Sequence, residues 1–297
     1  MINQEQAKQM SQATGFVAAL DQSGGSTPKA LRLYGVGSDQ YSNDEEMFAL
    51  IHEMRSRIMR ASAFQGDKVI GAILFENTMN RSVDGIPAAD YLWGHRGVVP
   101  FLKVDKGLAD EENDTQTLKP MPELSALLER AKKANMFGTK MRSVIHRANP
   151  AGIEAVVSQQ FEIGRRILSH GLVPIIEPEI NIHAEDKQAA EGILLDRLKT
   201  ELSALNKGEQ VILKLTLPEN NNHYKSLAEH PRVMRVVALS GGYSRKEATA
   251  RLAKNTNMIA SFSRALTEGL SASQSEVEFE RVLGQTIAEI SAASFAG

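Results

Sequence analysis

Eight short apolar runs, separated by longer amphipathic segments, constrain the fold of this chain more than any other feature. Apolar runs of this length without polar alternation are typical of strands buried on both faces of a parallel sheet. They cover residues 15–20, 69–75, 98–104, 137–141, 172–176, 211–217, 233–239 and 258–262. Eight strands with helices between them predict an α/β fold, a (β/α)8 or TIM barrel that forms a single domain over residues 1–297. A doubly wound open sheet is the main alternative.

The segments between these runs carry apolar residues at helical spacing. In residues 42–61 the repeat consists of Met47, Leu50, Ile51, Met54 and Ile58. Ser42, with Glu45 three residues later, predicts a capping box at the start of this helix. Further helices are predicted over residues 121–135, 152–169, 185–205, 244–255 and 275–293. The connection 76–97 is rich in Gly, Asp and Arg, which predicts a loop with short helical turns over one end of the fold.

Lys214 lies in the middle of the sixth apolar run, VILKLTL. Burying an unpaired ammonium is costly, and the usual escape is loss of the proton. The neutral amine is a nucleophile for carbonyl carbons, so Lys214 is a candidate Schiff-base lysine. The alternative is a lysine at the strand end that reaches solvent or forms a salt bridge.

Polar residues collect where the predicted strands end, which is where barrel enzymes carry their functional groups. Seven of the eight strand ends offer such residues, and this pattern favours the nucleophile interpretation of Lys214. Besides Lys214, the ends carry Asp21, Lys103, Lys140, Arg142, Glu177, Glu179, Ser240-Gly241-Gly242 and Arg264. Glu177 and Glu179 either cap the following helix, or one of them acts as a general acid/base with Lys140 nearby to keep it charged.

Two loops that are rich in glycine and serine are candidate phosphate sites. Ser240, Gly241 and Gly242 follow the seventh strand and precede a helix, whose first N–H groups bind anions. Arg264, after the eighth strand, is placed to clamp the same phosphate. In the loop after Asp21, Ser23 and Ser26 are placed to hold a second phosphate with Lys103 as counter-charge. The alternative for both loops is a plain turn.

Composition and motifs exclude several classes of function. The 34 basic and 36 acidic residues nearly balance, which predicts no nucleic-acid or membrane partner. The chain has no cysteine, and its seven histidines show no metal-ligand spacing, so no metal or other cofactor is predicted. The segment MINQEQAKQMSQATG lacks a hydrophobic signal core, and no apolar stretch is long enough to cross a bilayer, which predicts a cytoplasmic protein.

Seven segments, in this order, resemble the class I fructose-1,6-bisphosphate aldolases, and most closely their short bacterial branch. Each segment alone is modest, but the ordered set is specific and extends over nearly the whole chain. The segments are 18–26, 101–107, 138–142, 173–179, 213–214, 239–242 and 261–266. The resemblance implies a metal-independent lyase that reversibly cleaves fructose 1,6-bisphosphate to dihydroxyacetone phosphate and glyceraldehyde 3-phosphate.

The resemblance also implies residue roles. Lys214 matches the Schiff-base lysine, and Glu177 matches the carboxylate that serves carbinolamine formation and dehydration. Asp21 matches the group that handles the C4 hydroxyl proton, and Lys140 matches the lysine that supports both carboxylates. Ser240, Gly241 and Arg264 match the C1-phosphate side, and Ser23, Ser26 and Lys103 the C6-phosphate side. Arg142, Glu179 and Gly242 complete the expected substrate-binding set.

Two departures and three alternatives stay open at the level of sequence. Vertebrate-type members carry glutamate after the first-strand aspartate, where this chain has Gln22, and they end in a tyrosine that this chain lacks. A Schiff-base aldolase for another ketose bisphosphate, such as tagatose 1,6-bisphosphate, fits the same motifs. So does a barrel that serves only as a binding protein. Self-association into a homo-oligomer is the third open alternative.

Overall fold

A computed structural model of the protein describes residues 2–296 and contains eight parallel strands that follow one another around a barrel in chain order. They are β1 (Phe16–Leu20), β2 (Val69–Leu74), β3 (Val99–Lys103), β4 (Gly138–Ile145), β5 (Val173–Ile180), β6 (Val211–Thr216), β7 (Val233–Leu239) and β8 (Met258–Ala260). The backbone N–H of Ala19 in β1 donates to the carbonyl of Phe262, just past β8, at 3.1 Å, which brings the two edges together. The barrel prediction is therefore confirmed, and the open-sheet alternative is wrong.

The strand boundaries agree with the apolar runs to within one residue except in β8, which ends two residues earlier, and in β4 and β5, which continue four residues further. These two strands pair in register from Gly138 and Val173 to Ile145 and Ile180. Their second halves carry Arg142, Glu177 and Glu179, so hydrophobicity does not mark them as strand. The backbone hydrogen bonds between the strands, rather than side-chain hydrophobicity, decide where these strands end.

Twelve helices lie around and below the strands in the described residues. They are α1 (Gln4–Gln12), α2 (Thr27–Leu33), α3 (Asp44–Arg60), α4 (Glu76–Met79), α5 (Ala88–Arg96), α6 (Leu124–Lys133), α7 (Pro150–Ser169), α8 (Lys187–Ser203), α9 (Lys225–Ala228), α10 (Arg245–Leu252), α11 (Arg264–Thr267) and α12 (Glu276–Ala296). All six helices predicted from periodicity are present. Among residues 2–296, none of the helices has the length and apolar character needed to cross a membrane.

Local structure differs from the sequence-based expectation at two places. The cap of α3 is Asn43, whose side chain accepts from the N–H of Glu46 at 2.9 Å, so the prediction of Ser42 as cap is wrong by one residue. The N–H of Ser42 instead donates to the Glu46 carboxylate at 2.7 Å. The connection 76–97 contains α4, a small hairpin of Ser82–Val83 with Ile86–Pro87, and α5. Helix α5 is longer than the short helical turns that the polar composition of this connection predicted.

Side chains inside the barrel change character along the strands. Near the amino ends they are apolar and fully buried, and Met10 of α1 closes this mouth of the barrel from below. Two residues further along a strand the same face becomes charged, as in the step from Ile212 to Lys214 or from Ile175 to Glu177. Because alternate residues of a strand share one face, these charged groups meet inside the carboxyl end of the barrel.

Candidate active site

A cavity of about 560 Å³ opens at the carboxyl end of the barrel. Every site residue predicted from the sequence lines it, with the exception of Gly242, which stands directly beside Arg264. The predicted residues in its wall are Asp21, Ser23, Ser26, Lys103, Lys140, Arg142, Glu177, Glu179, Lys214, Ser240, Gly241 and Arg264. Residues from seven strand ends thus meet in one space, as the barrel topology predicts.

Four buried charged groups form a chain at the base of the cavity. The Lys140 ammonium lies 2.6 Å from Asp21 Oδ2 and 2.8 Å from Glu177 Oε2. The other oxygen of Glu177 lies 3.1 Å from Lys214 Nζ. The order is therefore Asp21, Lys140, Glu177, Lys214, with positive and negative groups alternating. Two carboxylates face two amines, so the cluster is neutral when all four groups are ionised.

Lys214 combines the two properties that the sequence left as alternatives. It is only 3% exposed, so it does not reach solvent as a snorkelling lysine would. It is nevertheless paired, through its contact with Glu177. Lys140 contacts two carboxylates, whereas Lys214 contacts one, and this difference separates the two lysines chemically.

The ionisation of Asp21 and Lys140 is determined by their contact. Burial alone would raise the pKa of Asp21, but Lys140 and then Lys214 outweigh it, so this pKa lies well below its usual value. Burial alone would lower the pKa of Lys140, but Asp21, Glu177 and Asp105 raise it well above the ordinary value. At neutral pH Asp21 is a proton acceptor. Lys140 stays protonated, and an ammonium without a lone pair cannot attack a carbonyl.

A second set of charges lines the wall toward β3 and β4. Lys103 Nζ contacts Asp105 Oδ1 at 2.5 Å, and the other oxygen of Asp105 accepts from the backbone N–H of Arg142 at 3.2 Å. Arg142 pairs through Nε with Glu179, and this carboxylate outweighs burial to raise the pKa of the guanidinium. Both cations face the cavity in fixed directions, as binding a substrate anion requires.

The loop after β7 needs glycine at Gly241. Its φ of 60° lies in the left-handed region, and a Cβ there would come within 2.6 Å of the Ile182 side chain. A Cβ on Gly242 would lie 3.5 Å from Arg264 Nη2, which brings the guanidinium of Arg264 against this loop. Within residues 2–296 Arg264 forms no ion pair, and its side chain is exposed at the cavity mouth.

The loop after β1 supports both interpretations that the sequence left open. It lines the cavity, but the Ser26 hydroxyl donates to the carbonyl of Ser23 and accepts from the Ser23 N–H, each at 3.0 Å. These contacts close a short 3-10 turn, Gly24–Ser26, that leads into α2. The chain enters that helix through Pro28, a residue suited to the first turn.

Several polar residues of the cavity were not predicted as site residues. They are Gln22, Lys29, Asp105, Ser261, Ser263 and Thr267. Four of them stand immediately at or after a strand end, so the barrel rule that identified their neighbours would have found them. No group of three or more His, Asp or Glu side chains in the described part of the chain is arranged to hold a metal ion.

Known proteins resemble this chain over nearly its whole length. The family model for fructose-bisphosphate aldolase class-I matches residues 3–221. A fructose-bisphosphate aldolase class 1 from Synechocystis sp. is 57% identical over 292 residues, 98% of this chain and 97% of the relative. One from Porphyromonas gingivalis is 55% identical over 293 residues, 99% of each chain. The solved fructose-bisphosphate aldolase of Plasmodium falciparum, in complex with TRAP and a small molecule inhibitor, shares the fold, with a TM-score of 0.78, 20% identity and coverage of 98% and 93%.

Proposed function

The chain belongs to the class I fructose-bisphosphate aldolase family, and on this premise we propose how its own residues carry the reaction. It is a lyase that reversibly cleaves fructose 1,6-bisphosphate to dihydroxyacetone phosphate and glyceraldehyde 3-phosphate through a lysine Schiff base. The observation that carries the assignment of residues is the buried chain of four charges, Asp21, Lys140, Glu177 and Lys214.

Lys214 forms the imine, and Glu177 moves the protons. Lys214 first gives a proton to Glu177, whose carboxylate lies 3.1 Å from its nitrogen, and the neutral amine attacks C2 of the open-chain sugar. Glu177 passes that proton to the former carbonyl oxygen, which becomes the hydroxyl of the carbinolamine. It then accepts a second proton from the nitrogen and returns it to the hydroxyl, which leaves as water. The product is a protonated imine, which accepts electrons much better than the ketone did. Lys140, fixed as an ammonium, holds Glu177 in place throughout.

Asp21 starts the cleavage of the carbon–carbon bond. Its carboxylate accepts the proton of the C4 hydroxyl while C3–C4 breaks, and the bonding electrons pass into the imine to give an enamine. The aldehyde half then leaves. A proton is returned to C3, and water hydrolyses the imine to release dihydroxyacetone phosphate and the free amine of Lys214. Lys140 stabilises Asp21 in the form that accepts the proton.

The two phosphates of the substrate bind at opposite sides of the cavity. Arg264 and the loop Ser240-Gly241-Gly242 hold the C1 phosphate, because the guanidinium and the glycine backbone lie side by side without a competing ion pair in the described residues. Ser23, Ser26 and Lys103 hold the C6 phosphate, with Arg142 and Glu179 in the same wall.

Four broader features belong to the same proposal. Residues 1–297 form a single catalytic domain, of which Met1 and Gly297 lie outside the described residues. The imine serves as the electron sink, so the reaction needs neither metal nor cofactor. Sugar bisphosphates are highly charged and do not cross bilayers unaided, which supports a cytoplasmic location. Light scattering in solution decides whether the chain is a monomer or a homo-oligomer.

Covalent trapping tests the central assignment. Incubation with dihydroxyacetone phosphate followed by borohydride reduction should attach the triose to Lys214, identified by peptide mapping. A Lys214→Met variant should take no label. Modification of Lys103, Lys106 or Lys140 with Lys214 untouched would contradict the assignment. Turnover of fructose 1,6-bisphosphate and of its C4 epimer, tagatose 1,6-bisphosphate, on the same preparation measures the stereochemical preference.

A further inference from the structure

Arg55 of α3 is a fully buried arginine without a salt bridge in the described part of the chain. Its Nη1 donates to Thr78 Oγ1 of α4 at 2.8 Å. Its Nη2 donates to the backbone carbonyl of Gln22 and lies 3.3 Å from the Gln22 side-chain oxygen. Its Nε–H is buried and has no partner among the described residues.

A buried cation of this kind is costly to the fold. The cost of taking a charge out of water is offset only by close partners, and the hydrogen-bond partners of Arg55 are all neutral. Burial lowers the pKa of its guanidinium to about 10, an effect that the nearby Asp21 carboxylate partly offsets. The side chain is therefore still a cation at neutral pH. A methionine would fill similar space at this position without a charge, so the charge calls for a role.

The hydrogen bonds of Arg55 lead directly into the active site. Gln22 follows Asp21 in sequence, so a donor bound to the Gln22 carbonyl holds the Gln22–Ser23 peptide, the next peptide unit after the one that joins Asp21 to Gln22. The same guanidinium attracts the side-chain oxygen of Gln22, which leaves the amide nitrogen to point the other way. That nitrogen donates to Ser263 Oγ at 2.9 Å.

Ser263 immediately precedes Arg264, the residue that faces the loop after β7. The contacts therefore run from Thr78 through Arg55 and Gln22 to Ser263, and they join the ends of β1 and β8. Within this chain of contacts Gln22 directly follows Asp21, and Ser263 directly precedes Arg264 at the cavity mouth.

We propose that Arg55 and Gln22 are positioning residues. They couple the orientation of the Asp21 carboxylate to that of the segment Ser263–Arg264, which binds the C1 phosphate. The inference rests on the roles proposed above for Asp21 and Arg264. Neither Arg55 nor Gln22 contacts the four-charge chain directly, so both act through the residues they hold.

Substitution of Gln22 and substitution of Arg55 should have different effects, because they break different contacts. Gln22→Ala breaks the bond to Ser263 but leaves the Gln22 carbonyl on Arg55. It should weaken binding of inorganic phosphate about three- to tenfold, the range for one neutral hydrogen bond, and lower kcat less than Arg55→Met does. Arg55→Met releases both ends. It should weaken phosphate binding by the same factor and also lower kcat by about 10–100-fold, since small displacements of a reacting group are costly.

The double variant gives the sharpest measurement. If both residues act through the one contact to Ser263, Gln22→Ala/Arg55→Met should bind phosphate no more weakly than either single variant. Arg55→Lys retains a donor for the Gln22 carbonyl and should recover part of kcat. Because Gln22 is only half-buried, its alanine variant is expected to fold even if Arg55→Met does not.

Arg57 provides a matched control on the same helix. It donates to Tyr34 and to the backbone carbonyl of Gln274, away from the cavity. Arg57→Met should lower the melting temperature and leave phosphate affinity and kcat unchanged. Additive effects of Gln22→Ala and Arg55→Met on phosphate binding would overturn the inference, as would kinetics in both variants that match Arg57→Met. Phosphate titration needs no turnover, so an inactive wild-type protein would overturn only the proposed function.

Discussion

Replacing Lys140 by methionine removes the cation that separates two buried carboxylates. Lys140 is 3% exposed and contacts both Asp21 and Glu177, at 2.6 and 2.8 Å. Methionine has nearly the same volume, so the change is chiefly one of charge. The four-charge chain passes from neutral to a net charge of about −1, with Lys214 the only amine left in it.

The magnitude follows from the loss of a buried partner. Removing one member of a buried ion pair typically costs about 3–5 kcal/mol, because the remaining charge stays desolvated. Lys140→Met should lower the free energy of unfolding at pH 7 by about this amount. Lys106→Met is the control, since Lys106 forms an ion pair with Glu76 at 3.2 Å with half of its side chain exposed. Such surface pairs contribute roughly 0–1 kcal/mol.

The expected pH dependence of the free energy of unfolding follows from the pKa values of Asp21 and Lys140. In the wild type the depressed pKa of Asp21 stabilises the fold above its ordinary value of 3.8, and this contribution is lost as the pH falls through the folded-state value. The raised pKa of Lys140 stabilises the fold fully below 10.5, and this contribution is lost as the pH rises through its folded value. Without Lys140, burial raises the pKa of Asp21 relative to the wild type, so the carboxylate takes up a proton sooner as the pH falls.

The stability deficit of Lys140→Met should therefore be largest near pH 7 and shrink toward pH 4. Urea unfolding of wild type, Lys140→Met and Lys106→Met at a series of pH values measures it directly, with the m-value checking that the transition stays two-state. A deficit below 1 kcal/mol, or one that stays constant between these pH values, would refute the argument that Lys140 compensates buried carboxylates.

Three further predictions concern activity. Asp21→Asn should cut turnover by about 10²–10⁴-fold while borohydride still traps substrate on Lys214, and a variant that instead loses stability and keeps its turnover per folded molecule would make Asp21 a loop cap. Arg264→Ala removes charge-assisted hydrogen bonds worth about 1.5–3 kcal/mol each, so KM should rise at least tenfold and inhibition by inorganic phosphate should weaken; an unchanged KM would assign the arginine a structural role. Prolonged dialysis against EDTA should leave activity intact, and loss that zinc restores would place the reaction in a metal-dependent class.

Hydrophobicity was sufficient to predict the strands wherever the paired residues are mostly apolar. It placed β2, β6 and β7 to within a residue because most of their side chains are apolar. It ended β4 and β5 too early because their last four paired residues include charged residues of the cavity or follow them. Helix α1, which is polar on average yet closes the barrel with Met10, and the short helix α2 gave no adequate apolar repeat.

Which residues reach the cavity was determined by the sequence, because strand order, the two-residue period of a strand and the barrel rule together place Asp21, Lys140, Glu177 and Lys214 at one end. How those residues divide the work was decided only by the tertiary structure. The partners come from four different strand ends. The family resemblance implied that Lys140 supports both carboxylates, but strand order and spacing contain no signal that Lys140 would contact two carboxylates and Lys214 one. The contact between Arg55 and the Gln22 carbonyl could likewise not be predicted, because the apolar repeat of a helix indicates only which of its residues are buried. Ionisation depends on distances of about 3 Å between such groups, and only packing sets those distances.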